Sequence, residues 1–567
     1  MISYLMKNII TILLLVPSIC FSQSNMDRNT NFSSKTAFFA VIPQSKNVWG
    51  FIMAGQSNMT GRGFVDTGEL KHKGDKFHFN AESQRTIGQW MALACIPFIR
   101  DTKLFDLPLI GMVKPRPATD IESSNWMIGC ETLDRDLADY DQYKEYLVPL
   151  GIKLLRMQAG WNKTENVKGQ YDWEWLDHIV NDAVSRGLKP WLQTSYGNVL
   201  YKDGGGANLG AGMPTSKEAL DGYYKWAETM VIRYKDKVKD WEVWNEPNFG
   251  DNTINTPEMT AELNIRTAEI IKRIQPDARI SGLALGHYNE DFVNRFFKYI
   301  GDRKKMKLFD NMTYHDYVYN PDANYHEVYL IRKELDKYAP YVKLRQGENG
   351  APSDGGFGRG AIGDYDWTEL SQAKWDTRRM LGNLGHDIEC SLFTIIDIAY
   401  NSGPITRLNI KGIIRSDSTK KALGPKMAYY AVQHVASVFD NTLERLRDVK
   451  HTYNISSAAT GEHKYTVNTD RSLAVFGFQN KTTQKQLYVI WNKEGIPSNQ
   501  NLIVNREFSI SEGNFDTPVL VDIITGGVYE IPASDWSRSG STYTFKKVPV
   551  YDAPVLIADK SLIRIVD

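Results

Sequence analysis

Charge of one sign is what this 567-residue chain most clearly lacks: 67 Lys and Arg stand against 67 Asp and Glu. That balance offers no grip to nucleic acid or to an anionic membrane surface. Cysteine is scarce, with four in all. Cys95, Cys130 and Cys390 are too widely spaced for a metal motif or a disulfide scaffold. The apolar run Ile9–Ile19 is too short to span a bilayer. Standing behind Lys7 and ahead of small residues, it predicts a secretory signal over 1–22, cleaved after Ser22, and a secreted or periplasmic protein. Pro-Ser-Ile before Cys20 is a poor lipobox, which sets a lipid anchor aside. The glycine-rich stretch from Asp203 to Gly212 lacks the strand–helix context of a phosphate loop and reads as a flexible rim loop. No cofactor and no metal are expected, and nothing in the sequence sets the oligomeric state.

What is present is organised around Lys239-Asp-Trp-Glu-Val-Trp-Asn-Glu-Pro-Asn248. Two tryptophans in a short apolar run read as a buried strand, with Asn245 and Glu246 at its carboxyl end and a proline to stop it. A carboxyl desolvated at such a tip keeps its proton near neutral pH, as a general acid must. About a hundred residues on, Lys343-Leu-Arg-Gln-Gly-Glu-Asn-Gly350 repeats the arrangement with Glu348. Two carboxylates at strand ends, one acid and one nucleophile, are what cleavage of a glycosidic bond requires.

The chain length implies two or three domains. Residues 23–47 are linker-like. From about Ser124, short apolar runs alternate with helical periods, the pattern of βα units. Predicted strands begin at Asn125, Gly151, Lys189, Lys239, Arg279, Asn311, Val342 and Cys390. Predicted helices include 173–187, 217–236, 257–275, 368–385 and a last one over 425–438. Eight strands with intervening helices describe a (β/α)8 TIM barrel over 120–440, an α/β fold whose sites lie at the carboxyl ends of the strands. Arg156, Gln193, Asn245, Glu246, His315, Tyr317, Glu348 and Asp397 fall there, Asp397 reading as a strand cap. Trp161, Trp191 and Tyr196 are candidate sugar platforms or core. From about Asn441 the helical periods vanish, and short strands with turns predict a C-terminal β-sandwich over 441–567.

Trp-Glu-Val-Trp-Asn-Glu-Pro-Asn248 resembles the acid/base motif of the clan A glycoside hydrolases, closest to family 39, the β-xylosidases and α-L-iduronidases. The resemblance extends to Leu-Leu-Arg156-Met and to Tyr-His315-Asp-Tyr317. It implies a carbohydrate substrate and a retaining mechanism with Glu246 as acid/base and Glu348 as nucleophile. It further implies Asn245 on the sugar 2-hydroxyl, Arg156 orienting the nucleophile, and His315 and Tyr317 lining the pocket. The run Arg-Gln-Gly-Glu348-Asn-Gly departs from the Thr-Glu-Phe usual in family 39, which leaves the sugar open.

Upstream, the apolar run into Gly-Gln-Ser57-Asn-Met resembles the nucleophile block of the sialate O-acetylesterases and acetylxylan esterases, which have the SGNH-hydrolase fold. Asp75 and His78 match their Asp-x-x-His block. Only 17 residues separate Ser57 from Asp75, too few for the domain those enzymes place between. Segment 48–100 therefore reads as a truncated esterase-like remnant. The competing expectations are an O-acetylesterase acting through Ser57 and His78, and a non-catalytic glycan-binding protein.

Overall fold

The alternation of apolar runs with helical periods resolves into a closed barrel. The computed structural model describes residues 104–566 apart from 250–254, 357 and 358, 403 and 404, 455–471 and 494. Segments 1–22, 23–47 and 48–100, with Ser57, Asp75 and His78, lie outside the described residues.

A first strand, β1 (Leu109–Val113), precedes the barrel. The barrel strands are β2 (Trp126–Gly129), β3 (Leu154–Gln158), β4 (Lys189–Gln193), β5 (Asp240–Glu242), β6 (Arg279–Leu285), β7 (Asn311–His315), β8 (Lys343–Glu348) and β9 (Glu389–Leu392). Each pairs in parallel with the next, and β2 closes on β9. The (β/α)8 fold expected from the sequence is the observed one. The predicted eighth strand is shorter than expected: it ends at Leu392, and Asp397 pairs with the Lys426 ammonium at 2.6 Å.

Local chemistry sets the helix boundaries between these strands. Lys217–Tyr234 starts after Ser216, whose hydroxyl accepts from the Ala219 N–H. Pro257–Ile274 starts after Thr256 with proline in its first turn, and Glu369–Gly385 starts with a capping box of Thr368 and Ser371. Each device satisfies N–H groups that a helix start leaves without partners.

Eight strands join in a sheet ordered Leu443–Leu446, Leu473–Asn480, Gln486–Asn492, Val555–Asp559, Pro518–Asp522, Gly527–Glu530, β1 and Ile565–Val566. A second sheet orders His451–Tyr453, Val504–Ile510, Thr542–Val550 and Trp536–Ser539. Phe515 bridges the two, its ring 5.9 Å from that of Tyr488 and 5.1 Å from that of Tyr543. The larger sheet thus contains β1, from a stretch the sequence left unassigned. Barrel and sheets are tied by the buried Lys374, whose ammonium bonds Asp552 at 2.7 Å and the Gln500 carbonyl at 2.7 Å. Among the described residues no helix is long and apolar enough to cross a membrane.

Candidate active site

The barrel's upper interior is polar, and one guanidinium organises it. Arg156 is wholly buried on β3, above the Trp191 ring at 5.6 Å. Its Nε donates to Glu242 at 2.8 Å, its Nη1 to Glu131 at 2.7 Å and to Glu348 at 3.0 Å, and its Nη2 to Asn245 at 2.8 Å. Arginine keeps its charge in any such setting and offers a rigid fork of donors, so it can hold several acceptors at fixed angles. Removing it would strand buried carboxylates, a loss of about 3–5 kcal/mol.

His315 ends β7 beside this fork. Arg156 Nη2 stands 3.2 Å from His315 Nε2, and His315 Nδ1 stands 2.8 Å from Glu246. A guanidinium only donates, so in the neutral ring Nε2 accepts and Nδ1–H is left for Glu246. Tyr317 donates to the other oxygen of Glu348 at 2.7 Å. The Oδ1 of Asn245 takes Arg156 and Gln193, and its Nδ2 donates to the Tyr196 hydroxyl at 2.6 Å. The structure therefore brings Arg156, Asn245, Glu246, His315, Tyr317 and Glu348 into one connected set, while Ser57, Asp75 and His78 lie outside the described residues.

The two strand-end carboxyls have opposite proton affinities. Burial and the negative charge of Glu348 push the Glu246 pKa up, against the bond from His315. Burial also acts on Glu348, but His315, Arg156 and the Tyr317 hydroxyl outweigh it and hold its pKa below the usual carboxylate value. Carboxyls whose environments drive them apart in this way serve as acid and nucleophile. Burial works against a charge on His315, and the neighbouring carboxylates prevail and raise its pKa.

The backbone at Glu246 is unusual. Trp244 and Glu246 have φ of 66° and 47°, and Leu283 and Ala284 on the adjoining β6 have φ of 72° and 46°. Side chains avoid this left-handed region unless the surroundings impose it, and such strain gathers at functional sites. Here the Glu246 N–H donates to Ala284 O at 2.8 Å. A Cβ on Gly286 would meet Glu246 Cβ at 3.0 Å, so a larger residue there would push on the Glu246 side chain.

Several participants went unseen in the sequence. Glu131 follows β2, and burial lifts its pKa to about 7 against the pull of Arg156. Glu242 lies inside β5 and receives Arg156, Gln193 and the Thr313 hydroxyl. Lys411 sits 5.3 Å from the Tyr317 ring centroid, and burial lowers its pKa to about 7, with Glu348 opposing. A usable signal did exist: an arginine in a barrel strand must find carboxylates, and Glu131 just after the adjacent β2 and Glu242 on β5, two strands away, are acids within its reach. Trp161 and Trp191 are fully buried and belong to the core rather than to a sugar platform.

Among the described residues, Glu246, His315 and Glu348 form the cluster in which a metal ion would find three ligands, with ligand atoms within 4.8 Å of one another. Arg156 donates to Glu348 and stands 3.2 Å from His315, so a fixed positive charge already occupies this cluster. That charge opposes a divalent cation at the same three ligands.

No family model matches this chain. Its fold is similar to that of a family 39 glycoside hydrolase from the gut symbiont Bacteroides cellulosilyticus WH2. The TM-score is 0.53 at 16% identity, over 78% of this chain and 81% of that one. A monomeric β-xylosidase from Caulobacter crescentus CB15 gives a TM-score of 0.50 at 15% identity, over 80% and 98%. In sequence, the chain is 27% identical over 155 residues to the aryl-phospho-β-D-glucosidase BglA of Bacillus subtilis (strain 168), covering 25% of this chain and 30% of that protein. It is 24% identical over 177 residues to a 6-phospho-β-glucosidase of Clostridium longisporum, covering 30% and 34%. The chain thus spans about a third of the length of these curated relatives. The structural likeness is one of fold, that of a closed (β/α)8 barrel.

Proposed function

We propose that the protein is a secreted retaining glycosidase acting on a β-linked pentose or hexose of a plant or host glycan. The observation that carries the reading is the pair Glu246 and Glu348. One carboxylate oxygen of each lies within 4.8 Å of the other, and their proton affinities are driven in opposite directions. Carboxyl groups ~5–5.5 Å apart suit a double displacement, and ~6.5–9.5 Å would leave room for an inverting water. The names of the relatives, β-xylosidase and β-glucosidases among them, support the same class of bond.

In the first step a Glu348 oxygen bonds to the anomeric carbon. The bond to the leaving oxygen breaks, and that oxygen takes the Glu246 proton. In the second, water bonds to the anomeric carbon while Glu246 takes its proton and Glu348 departs. Arg156 and Tyr317 keep Glu348 ionised and aimed, and His315 orients Glu246. The Oδ1 of Asn245 is held by Arg156 and Gln193 and one Nδ2–H goes to Tyr196, so the second Nδ2–H is the donor offered to the sugar 2-hydroxyl.

The test is a panel of 4-nitrophenyl xyloside, galactoside, glucoside and arabinosides, given to the wild type and to Glu348→Ala. Turnover of one sugar that disappears in the variant, with the first-formed product keeping its anomeric configuration by NMR, is the expected result. A first-formed product of inverted configuration removes the double displacement.

A further inference from the structure

The barrel mouth continues beyond Glu348. A cleft of about 710 Å³ opens beside it, within the roughly 300–1,000 Å³ of small-molecule sites. Its walls are the segments after β2 (Arg135), β3 (Asn162, Lys163, Asn166), β4 (Asn208) and β9 (Tyr400).

Two side chains join the cleft to the catalytic set. Arg135 donates to Gln158 at 3.1 Å and lies over the Tyr196 ring, 5.0 Å from its centroid; Tyr196 is the partner of Asn245. Tyr400 is half-buried, and burial pushes its phenol up to about 12. Arg135 opposes that rise, while the charges of Glu348 and Glu131 add to it. Tyr400 thus lines the cleft and also feels the charge of Glu348.

The wall is balanced in charge. Arg135 pairs with Asp134 at 3.4 Å and Lys163 with Asp136 at 2.6 Å. The remaining chemistry is carboxamide, with donor and acceptor side by side as the neighbouring hydroxyls of a sugar ring require. The wall is also preformed. The stretch that reads in sequence as a flexible rim loop is folded on itself. Gly197 N–H donates to Gly206 O at 2.9 Å and Asn198 N–H to Gly204 O at 3.0 Å, and a Cβ on Gly205 (φ 73°) would stand 2.2 Å from Gly212 O. Asn208 is presented from this packed backbone, so little ordering is needed when a ligand arrives.

We propose that this cleft is a second sugar subsite, on the non-reducing side of the ring held between Glu246 and Glu348, and that it takes an uncharged pyranose. It rests on the glycosidase reading above. The direction follows from the acid: Glu246, after β5, must stand beside the departing oxygen, so the leaving group lies toward β5 and β6. The cleft is built around β2, β3, β4 and β9, toward the other end of the chain. The substrate is then an oligosaccharide from which at least two sugars leave together.

The experiment compares the 4-nitrophenyl xyloside and glucoside with the 4-nitrophenyl xylobioside and cellobioside, following nitrophenol by absorbance and sugars by chromatography. The bioside is expected to release nitrophenol and an intact disaccharide, with kcat/KM about tenfold or more above the monoside. Asn208→Ala and Asn166→Ala, both at exposed side chains, each lower the bioside-to-monoside ratio about fivefold to tenfold, the worth of one hydrogen bond. Trimming of the bioside one sugar at a time from its non-reducing end overturns the subsite and leaves the glycosidase standing. So does a ratio of one or less that neither variant changes. If no glycoside of either length is turned over and 2-deoxy-2-fluoro glycosides leave Glu348 unlabelled, both readings fall.

Discussion

The two sides of the barrel mouth treat the same functional group in opposite ways. On the β5 side, Glu246 sits in a left-handed backbone seat, with His315 as its charged or hydrogen-bonding neighbour and the field of Glu348 working against ionisation. On the β8 side, Glu348 accepts from both Arg156 and Tyr317, with His315 Nδ1 3.6 Å away, and ionisation is favoured. Burial penalises a charge on both sides; what differs is the number of donors. The opposed proton affinities, and with them the acid and nucleophile roles proposed above, follow from the neighbours each carboxyl receives.

The strongest way to break this contrast is to remove the ionised member. Glu348→Ala is expected to lower kcat/KM for aryl glycosides on the order of 10⁵-fold. Azide should restore turnover and yield a glycosyl azide of inverted configuration, identified by NMR. If Glu246→Ala gave that azide chemistry instead, the roles would be reversed.

Glu246→Gln should be graded by leaving group. The loss is about 10⁴-fold for alkyl glycosides and about 10²-fold for nitrophenyl ones, since only the former need the proton. A loss independent of leaving-group pKa would show that Glu246 does not act as the acid.

Tyr317→Phe sharpens the β8 side. Loss of a hydrogen bond to a charged acceptor lowers kcat/KM about 10- to 100-fold. That bond favours the carboxylate, so its loss raises the Glu348 pKa and moves the acid limb of the pH–rate profile to higher pH. A limb that stays in place separates Tyr317 from the nucleophile's ionisation.

Last and smallest is Lys411→Met, which reads stability. The amine holds its proton to about 10.5 when unfolded and to about 7 when folded. The folded state binds fewer protons between those values, so wild-type stability gains from rising pH across that window. Methionine carries no proton and lacks that gain. The Tm of the variant is therefore expected to exceed that of the wild type most at pH 7, with the gap closing toward pH 10. Parallel Tm curves would place Lys411 in water rather than in the wall.

The sequence made the barrel legible because each βα unit carries its own apolar run, cap and helical period. Glu246 and Glu348 were legible because both end such runs before a turn. Glu131, Glu242 and Lys411 were not, because their partners come from other strands: Arg156 reaches 25 residues back to Glu131 and 86 forward to Glu242. A buried acid inside Trp-Glu-Val-Trp reads as an interruption until its arginine is known. Trp161 and Trp191 could be read as sugar platforms from their chemistry, and only their burial assigns them to the core. β1 left no local trace, being five residues with no neighbouring partner strand.

That strand has a consequence for how the chain is made. Leu109 pairs with Tyr529, and Val113 with Ile565, near the far end of the sequence. At the usual pace of a ribosome, roughly 5–20 residues per second, β1 emerges on the order of 20–80 s before its partners exist. The barrel's neighbours are sequential and can assemble meanwhile, whereas the large sheet is sealed only once Ile565 and Val566 have emerged. A chain stopped near residue 440 would carry β1 as an orphan edge, open to pairing with other copies.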